Sequence, residues 1–247
     1  MACFYTVFAL VVMTGCEKRR QDLSVPDEIP VYGCRQASGP ILIDGNLDEP
    51  AWQDVEVIDT FYPYDPEFTG PLSGTKVRLT WDPNHLYVAI ECVDDDIWSF
   101  SDEPDSELWL GDVVEIFLKP SASKLSYCEF VIAPNGTLFD ARFPSRGAGG
   151  YRRFSNWSSN AEVATEIDGS DGDWRDTDTG YTVEMAIPFS AFKEVFGVPL
   201  PGDVWTFGVF RYDYSKSYEK QLLMMSIPDA PEYGFHYYEK YHHLEFR

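Results

Sequence analysis

Alternating polar and apolar residues recur in short runs from Val31 onward, with turn signals between them. Residues 76–81, KVRLTW, alternate with the period of two that is typical of a half-buried strand, and residues 86–93 form a second run. The sequence DPNH at 82–85 lies between them and contains a proline suited to a turn. The two runs are therefore predicted to form a β-hairpin.

The same pattern predicts strands through the rest of the chain. They are expected at residues 112–118, 127–132, 181–187, 204–212, 221–227 and 243–246. Residues 189–196 are predicted to form one short helix that ends at Gly197. The acidic, glycine-rich residues 168–180 are predicted to form a long exposed loop. Short strands without long amphipathic helices indicate an all-β fold, either a sandwich or a barrel.

An apolar run opens the chain at residues 2–12, ACFYTVFALVV. It has signal-peptide length and falls short of the roughly 20 apolar residues of a membrane-spanning helix. The small residues before Cys16 resemble the lipobox of bacterial lipoproteins, in which the cysteine carries the lipid. We therefore expect a signal peptide at 1–15, a lipidated Cys16 and tether at 16–30, and one domain at 31–247. The protein would be an exported, membrane-anchored lipoprotein, periplasmic or at the cell surface.

This N-terminal pattern departs from the usual one, because no Lys or Arg precedes the apolar run. A misplaced start codon would explain the departure. A cytosolic protein whose first strand is unusual stays the alternative.

The chain of 247 residues is strongly acidic, with 19 Lys and Arg against 41 Asp and Glu and a net charge of −22. Such a surface repels nucleic-acid phosphates and anionic lipids, so we expect no nucleic-acid partner and membrane contact only through the lipid anchor. The charge suits a neutral ligand, a cation or simple solubility. Aromatic residues make up 16% of the chain. Most should pack in the core, and the excess leaves rings for the apolar C–H face of a sugar.

Three cysteines, Cys34, Cys92 and Cys128, would remain after loss of Cys3 and lipidation of Cys16. Export permits one disulfide among them, but the sequence does not decide the pairing. Cys92 and Cys128 lie in apolar strand patterns, where a free cysteine behaves as a small hydrophobe. The chain lacks the Cys/His spacings of zinc sites, so a zinc site is not expected.

Four segments in order resemble the family 9 carbohydrate-binding modules. They are IDGNLDEPAW at 43–52, VRLTWDPNHLYVAIECVD at 77–94, WLGDVVEIFL at 109–118 and GYTVEMAIP at 180–188. The resemblance covers roughly residues 32–247. It implies an antiparallel β-sandwich of the immunoglobulin-like or jelly-roll-like kind with at most one or two short helices. It also implies non-catalytic binding of a polysaccharide or oligosaccharide, in support of glycan-degrading enzymes such as xylanases.

The resemblance further implies site residues, because a branch of the family holds a sugar between two Trp rings with polar side chains on the hydroxyls. Trp109 corresponds to the first ring and Phe235 to the second, while Glu115 and Glu129 correspond to polar positions. Alternation along the strand places Glu115 on the face opposite to its neighbours. Such a position is typical of a cleft residue and equally of an exposed strand residue.

The sequence departs from this branch at three positions. Val131 stands where the branch has an Arg, Ala133 replaces an amide, and the second ring is the phenyl of Phe235. A missing guanidinium removes several hydrogen-bond donors in a fixed geometry. The preference of the branch for chain ends is therefore not carried over. Trp52, at the end of the first motif, is expected to pack in the core.

A calcium ion is a further expectation. Asp44, Asn46 and Asp48 alternate in a glycine-containing turn and supply the oxygen ligands that Ca²⁺ prefers. Some relatives in the family carry structural calcium, which agrees with this expectation. A solvated turn closed by its own hydrogen bonds is the alternative.

Two other functions stay open from the sequence. Glu115 and Glu129 on adjacent strands would form a glycosidase-like pair if their carboxyl groups lay about 5 to 9 Å apart, although no Gly-x-Ser-x-Gly motif is present. The second open function is electron transfer by a bound haem. Its candidate ligands, by residue type, are Met224, Met225 and His236. The chain has no Cys-x-x-Cys-His motif for covalent haem attachment.

Overall fold

The computed structural model describes residues 29–173, 175–194, 196–214, 223–227 and 234–247. The predicted signal peptide, Cys16 and nearly all of the tether lie outside these residues. The strands in chain order are β1 (Val31–Cys34), β2 (Tyr62–Pro63), β3 (Thr75–Trp81), β4 (His85–Val93), β5 (Val113–Lys119), β6 (Tyr127–Ile132), β7 (Leu138–Phe143), β8 (Glu162–Asp168), β9 (Gly180–Pro188), β10 (Val204–Asp213), β11 (Leu223–Ile227) and β12 (His242–Phe246).

The described helices are all short. One is an α-helix, α1, at Pro50–Gln53. The others are 3-10 turns at Leu108–Leu110, Tyr151–Arg153, Phe189–Ala191 and Tyr238–Lys240. Within the described part of the chain, no helix is long and apolar enough to cross a membrane.

The strands form two sheets that pack as a sandwich. The larger sheet has the order β1-β12-β10-β5-β6-β7, with β11 beside the second half of β10 and β2 beside β11. The smaller sheet has the order β3-β4-β9-β8. Neighbouring strands are antiparallel except β1 and β12. The predicted antiparallel β-sandwich is therefore confirmed.

The main core lies between the two sheets, and alternation along each strand selects its side chains. On β5, Val114, Ile116 and Leu118 point into this core, while Val113 and Phe117 join a second apolar cluster on the outer face of the larger sheet. Cysteines of β1, β4 and β6 also lie in the main core as buried free thiols: Cys34, Cys92 and Cys128. They act as small hydrophobes and form no disulfide.

The outer face of the smaller sheet is covered by α1 and the turn before it. A proline at the start of α1 suits the first turn of a helix, and Trp52 packs beside Tyr87 of β4. The Trp52 Nε1–H donates to Oε1 of the buried Glu184 at 2.9 Å. The other carboxyl oxygen of Glu184 accepts the backbone N–H groups of Asp44 and Gly45. The first sequence motif therefore closes this face, and Trp52 is a core residue as expected.

Four strands of the structure were not among those predicted, the short β1 and β2 and the longer β7 and β8, and one predicted helix is shorter. The inward-facing positions of β7 include the buried polar Asp140, and β8 is an edge strand without a buried residue. Among the described residues of the predicted helix 189–196, Phe189–Ala191 form a 3-10 turn. It follows directly on Pro188, whose backbone is extended.

Candidate functional site

The outer face of the larger sheet carries a cavity of about 610 Å³. Strands β5, β6 and β10 form its floor, and the loops around residues 64, 109, 146–151 and 234–236 form its rim. Seven aromatic side chains line its walls: Tyr64, Trp109, Tyr127, Phe143, Tyr151, Tyr212 and Phe235. A second cavity of about 420 Å³, beside Asn135 and Thr137, has no aromatic side chain in its lining. The first, which we call the aromatic cavity, is the better candidate for ligand binding.

The structure brings all four predicted sugar-contacting residues to the aromatic cavity. Trp109 lies in the 3-10 turn that precedes β5, and Glu115 lies in the middle of β5. Glu129 lies on the neighbouring β6, and Phe235 follows Gly234, whose φ of 76° allows the turn there. Residues far apart in sequence therefore meet in one cavity.

The two predicted rings differ in how they are held. Trp109 is half-buried and contacts Phe139 and Tyr151 edge-on, with ring centroids 5.5 and 4.8 Å apart. Phe235 is 7% exposed and stacks on Phe210 with centroids 4.2 Å apart. One face of Phe235 is therefore occupied by protein. Trp109 offers the larger accessible ring surface.

The two carboxyl groups lie at the bottom of the cavity on adjacent strands. Glu115 pairs across the sheet with Val131, and Glu129 pairs with Phe117, so the glutamates are diagonal neighbours. Both are buried, at 4% and 6% exposure. Burial raises the pKa of Glu129 to about 8. Burial, together with the nearby charge of Glu129, raises the pKa of Glu115 well above its usual range.

A pH-dependent stability follows from Glu129. The pKa of Glu129 in the folded protein, about 8, lies above the ordinary glutamate value of about 4.3. The contribution of this group to the free energy of unfolding is therefore fully present below about pH 4 and is lost as the pH rises toward about 8. Glu129→Gln removes the ionising group at nearly constant shape. We expect this variant to gain at least about 1 kcal/mol relative to wild type between about pH 5 and about pH 8.

Urea unfolding of both proteins at several pH values measures this difference. Glu162→Gln is the matched control, since Glu162 is an exposed residue of β8 in the other sheet. A difference between Glu129→Gln and wild type that stays constant with pH would contradict the raised pKa.

The departures from the family pattern have a structural consequence. Val131 and Ala133 are fully buried in the apolar cluster beneath the cavity, together with Phe139 and Phe210. This part of the floor contributes packing and no side-chain hydrogen bond. The acidic side chains that line the cavity are the two glutamates.

Sequence reasoning missed several walls of the cavity. The position of Tyr212 could have been predicted from strand alternation, because Tyr212 lies two residues after Phe210 on β10 and so points to the same face of the sheet. Tyr64 and Tyr151 come from loops, and no periodic pattern places a loop residue. Tyr151 is held by its hydroxyl, which donates to Glu107 Oε1 at 2.6 Å.

The predicted calcium turn is closed by its own hydrogen bonds. Asp44 Oδ1 accepts the backbone N–H and the side-chain amide of Asn46, at 2.9 and 3.2 Å. These hydrogen bonds are formed within the turn itself. Elsewhere in the described residues, Asp94, Asp96 and Asp213 bring three carboxylates within 4.8 Å of one another. Arg211 lies 2.8 Å from Asp94 and 3.5 Å from Asp213, so a guanidinium balances part of that charge.

Two of the candidate haem ligands, Met225 and His236, do not converge. Met225 is buried in the core between the sheets. His236 lies in the aromatic cavity on the other face, with its Nδ1 2.8 Å from the hydroxyl of Tyr127. The side chain of Met224 lies outside the described residues. One haem cannot be held by Met225 and His236 on opposite faces of a sheet.

Fold and cavity together define a β-sandwich binding module, and comparisons with known proteins place it more closely. The sequence matches the family described as carbohydrate family 9 binding domain-like over residues 43–241. It is 29% identical over 174 residues to endo-1,4-beta-xylanase A of Thermotoga maritima, covering 69% of this chain and 14% of the xylanase.

Solved structures with a similar fold include two sugar complexes of a family 9 carbohydrate-binding module from Caldicellulosiruptor kristjanssonii. The one in complex with cellotriose has a TM-score of 0.61 at 20% identity, covering 88% of this chain and 93% of the module. The one in complex with glucose has a TM-score of 0.58 at 18% identity, covering 87% and 96%. At these identities the likeness concerns the fold.

The chain belongs to the carbohydrate family 9 binding domain-like family, because the match spans most of its length. Members of this family bind carbohydrate and are not catalytic, so carbohydrate binding without catalysis, as predicted, is confirmed at the level of the family. The chain spans only 14% of the length of the xylanase. The activity of that enzyme is therefore not carried over, although Glu115 and Glu129 do lie in one cavity.

Proposed function

We propose that the protein binds carbohydrate in the aromatic cavity. The ligand is an oligosaccharide, or a segment at the end or in the interior of a polysaccharide chain. The observation that carries this proposal is the convergence of Trp109, Phe235, Glu115 and Glu129 on one cavity of about 610 Å³. Trp109 supplies a ring for the C–H face of a sugar, and the two carboxyl groups supply acceptors for its hydroxyls. A cavity of this volume lies within the range of small-ligand sites in proteins.

The expected affinity follows from simple estimates. Burying about 100 Å² of apolar ring surface contributes roughly 2.5 kcal/mol, and two rings about 5 kcal/mol. Association costs at least about 4 kcal/mol of translational and rotational freedom. Each hydroxyl bond to a charged group adds roughly 1.5 to 3 kcal/mol. The dissociation constant should therefore lie on the order of micromolar to millimolar.

A glycan array tests the proposal, using the chain from Ser24 onward so that every described element is retained. Cello-oligosaccharides and xylan fragments are the first probes, because relatives include modules solved with cellotriose and glucose and a xylanase. We expect binding to at least one glycan, followed by calorimetric titration. Absence of binding to every glycan up to millimolar concentration would contradict the proposal.

Export and anchoring through lipid are also proposed, on the apolar run and Cys16. At the membrane the protein would hold glycans near degrading enzymes. The several acyl chains of a lipoprotein anchor firmly. Cys16→Ser is expected to move the protein into the soluble fraction on cell fractionation, with Cys34→Ser as the control. Identical fractionation of wild type and Cys16→Ser would count against the anchor.

Calcium binding by Asp44, Asn46 and Asp48 stays a prediction. Its support is the oxygen-rich turn, and the internal bonds of that turn weaken the case. A bound ion stabilises the protein only if it prefers the native state. We expect millimolar Ca²⁺ to raise the Tm and EDTA to lower it, and Asp48→Asn to remove the effect. A Tm that changes neither with Ca²⁺ nor with EDTA would contradict calcium binding.

A further inference from the structure

The bottom of the aromatic cavity holds two acids and no base that pairs with them. Glu115 and Glu129 are 4% and 6% exposed, and both line the cavity. Among the described residues, neither carboxyl group accepts a hydrogen bond or takes part in an ion pair. The side chain across the sheet from Glu115 is the apolar Val131. The described part of the chain therefore leaves this pair without a counter-charge.

Basic groups beside the cavity are engaged elsewhere. Arg146, at the rim, is 2.5 Å from Glu239. Lys119, on the same strand as Glu115, donates to the carbonyl of Ser121. Burial lowers the pKa of His236, which favours its neutral form. A positive charge for the two carboxyl groups must therefore come from outside the described part of the chain.

The physical cost of this arrangement indicates what the ligand brings. A buried carboxylate without a partner is expensive, and the pair reduces that cost by holding a proton or by meeting a cation. Aromatic faces attract cations, and the rings of Tyr64, Trp109 and Tyr212 surround the pair. The net charge of −22 raises the local concentration of cations around the whole protein.

We propose that the preferred ligand is a glycan with a free ammonium group, of the glucosamine class, whose ammonium lies between Glu115 and Glu129. This inference rests on the proposed binding of glycans in the aromatic cavity. An ammonium group supplies three hydrogen-bond donors, and its charge stabilises the ionised form of the pair in place of the proton that the pair otherwise holds. A sugar hydroxyl carries no positive charge, and acetylation removes the positive charge of an amine. The carboxylate of a uronic acid would be repelled by the two glutamates.

Three trisaccharides with the same β-1,4 linkage test the inference, because they differ only in the group at carbon 2. Cellotriose carries hydroxyls, chitotriose carries amines, and triacetylchitotriose carries acetamides. Calorimetric titrations at about pH 6, where an amine is protonated, compare their affinities. We expect chitotriose to bind at least tenfold more tightly than the other two. Glu115→Gln and Glu129→Gln should each remove most of this preference, whereas Glu162→Gln, on the other sheet, should preserve it.

The outcomes separate this inference from the proposed function. If cellotriose binds as tightly as chitotriose and Trp109→Ala weakens it, the cavity binds neutral sugars and the ammonium inference is wrong. If chitotriose binds tightly but Glu115→Gln and Glu129→Gln have no effect, its charge is recognised elsewhere and the inference is also wrong. If none of the three binds and the glycan array is blank, the proposed function itself fails.

Discussion

Replacing Trp52 by alanine is expected to lower the free energy of unfolding by about 3 to 5 kcal/mol, enough to unfold a marginally stable domain. Trp52 is 1% exposed and packs on the smaller sheet. The substitution leaves a cavity and also removes the N–H donor to the buried Glu184. A buried acceptor that loses its partner adds its own cost. Urea unfolding followed by circular dichroism measures the loss.

Trp98→Ala is the matched control, because Trp98 is 41% exposed and its ring meets those of Phe100 and Tyr214 in T-shaped pairs. It should cost about 1 kcal/mol or less. Equal stability losses for Trp52→Ala and Trp98→Ala would contradict the placement of Trp52 in the core.

Replacing Trp109 by alanine is expected to weaken glycan binding more than tenfold. The loss of one ring surface corresponds to about 2 kcal/mol of binding free energy. The fold should persist, because Trp109 is half-buried and its contacts with Phe139 and Tyr151 are edge-on. Calorimetric titration with the tightest glycan from the array measures the affinity, and thermal unfolding measures the stability.

Trp98→Ala serves again as the control, since Trp98 is an exposed tryptophan that does not line the aromatic cavity. It should bind as wild type does. If Trp109→Ala unfolds the protein as Trp52→Ala does, Trp109 is a core residue and not a ligand contact. If it folds and binds every glycan normally, the ligand site lies elsewhere.

Much of the fold could be predicted because alternation reports which side of a strand is buried. The predicted hairpin at 76–81 and 86–93 is close to the observed β3 and β4. β7 was missed because the buried Asp140 stands at an inward position, where the N–H and hydroxyl of Ser159 satisfy it. That compensation comes from a loop 19 residues away, and no local pattern reveals it. β8 was missed because its inward side is weakly apolar: Val163 and Ile167 are only half-buried, and the polar Thr165 stands between them.

The candidate site was predictable in part, for a different reason. Its four predicted residues came from motifs shared with a family, and sheet register then brought Glu115 and Glu129 together. The chemistry of the pair was not predictable from the sequence. It depends on burial and on the engagement of Arg146 with Glu239, which only the arrangement of the loops decides.

The most direct test of the account is a crystal structure of the protein with its tightest glycan. The account predicts one sugar ring lying against Trp109, with polar groups of the ligand within hydrogen-bond distance of the carboxyl oxygens of Glu115 and Glu129. A glycan bound beside Asn135 and Thr137, or against Trp98, with the aromatic cavity free of ligand, would contradict the central claim.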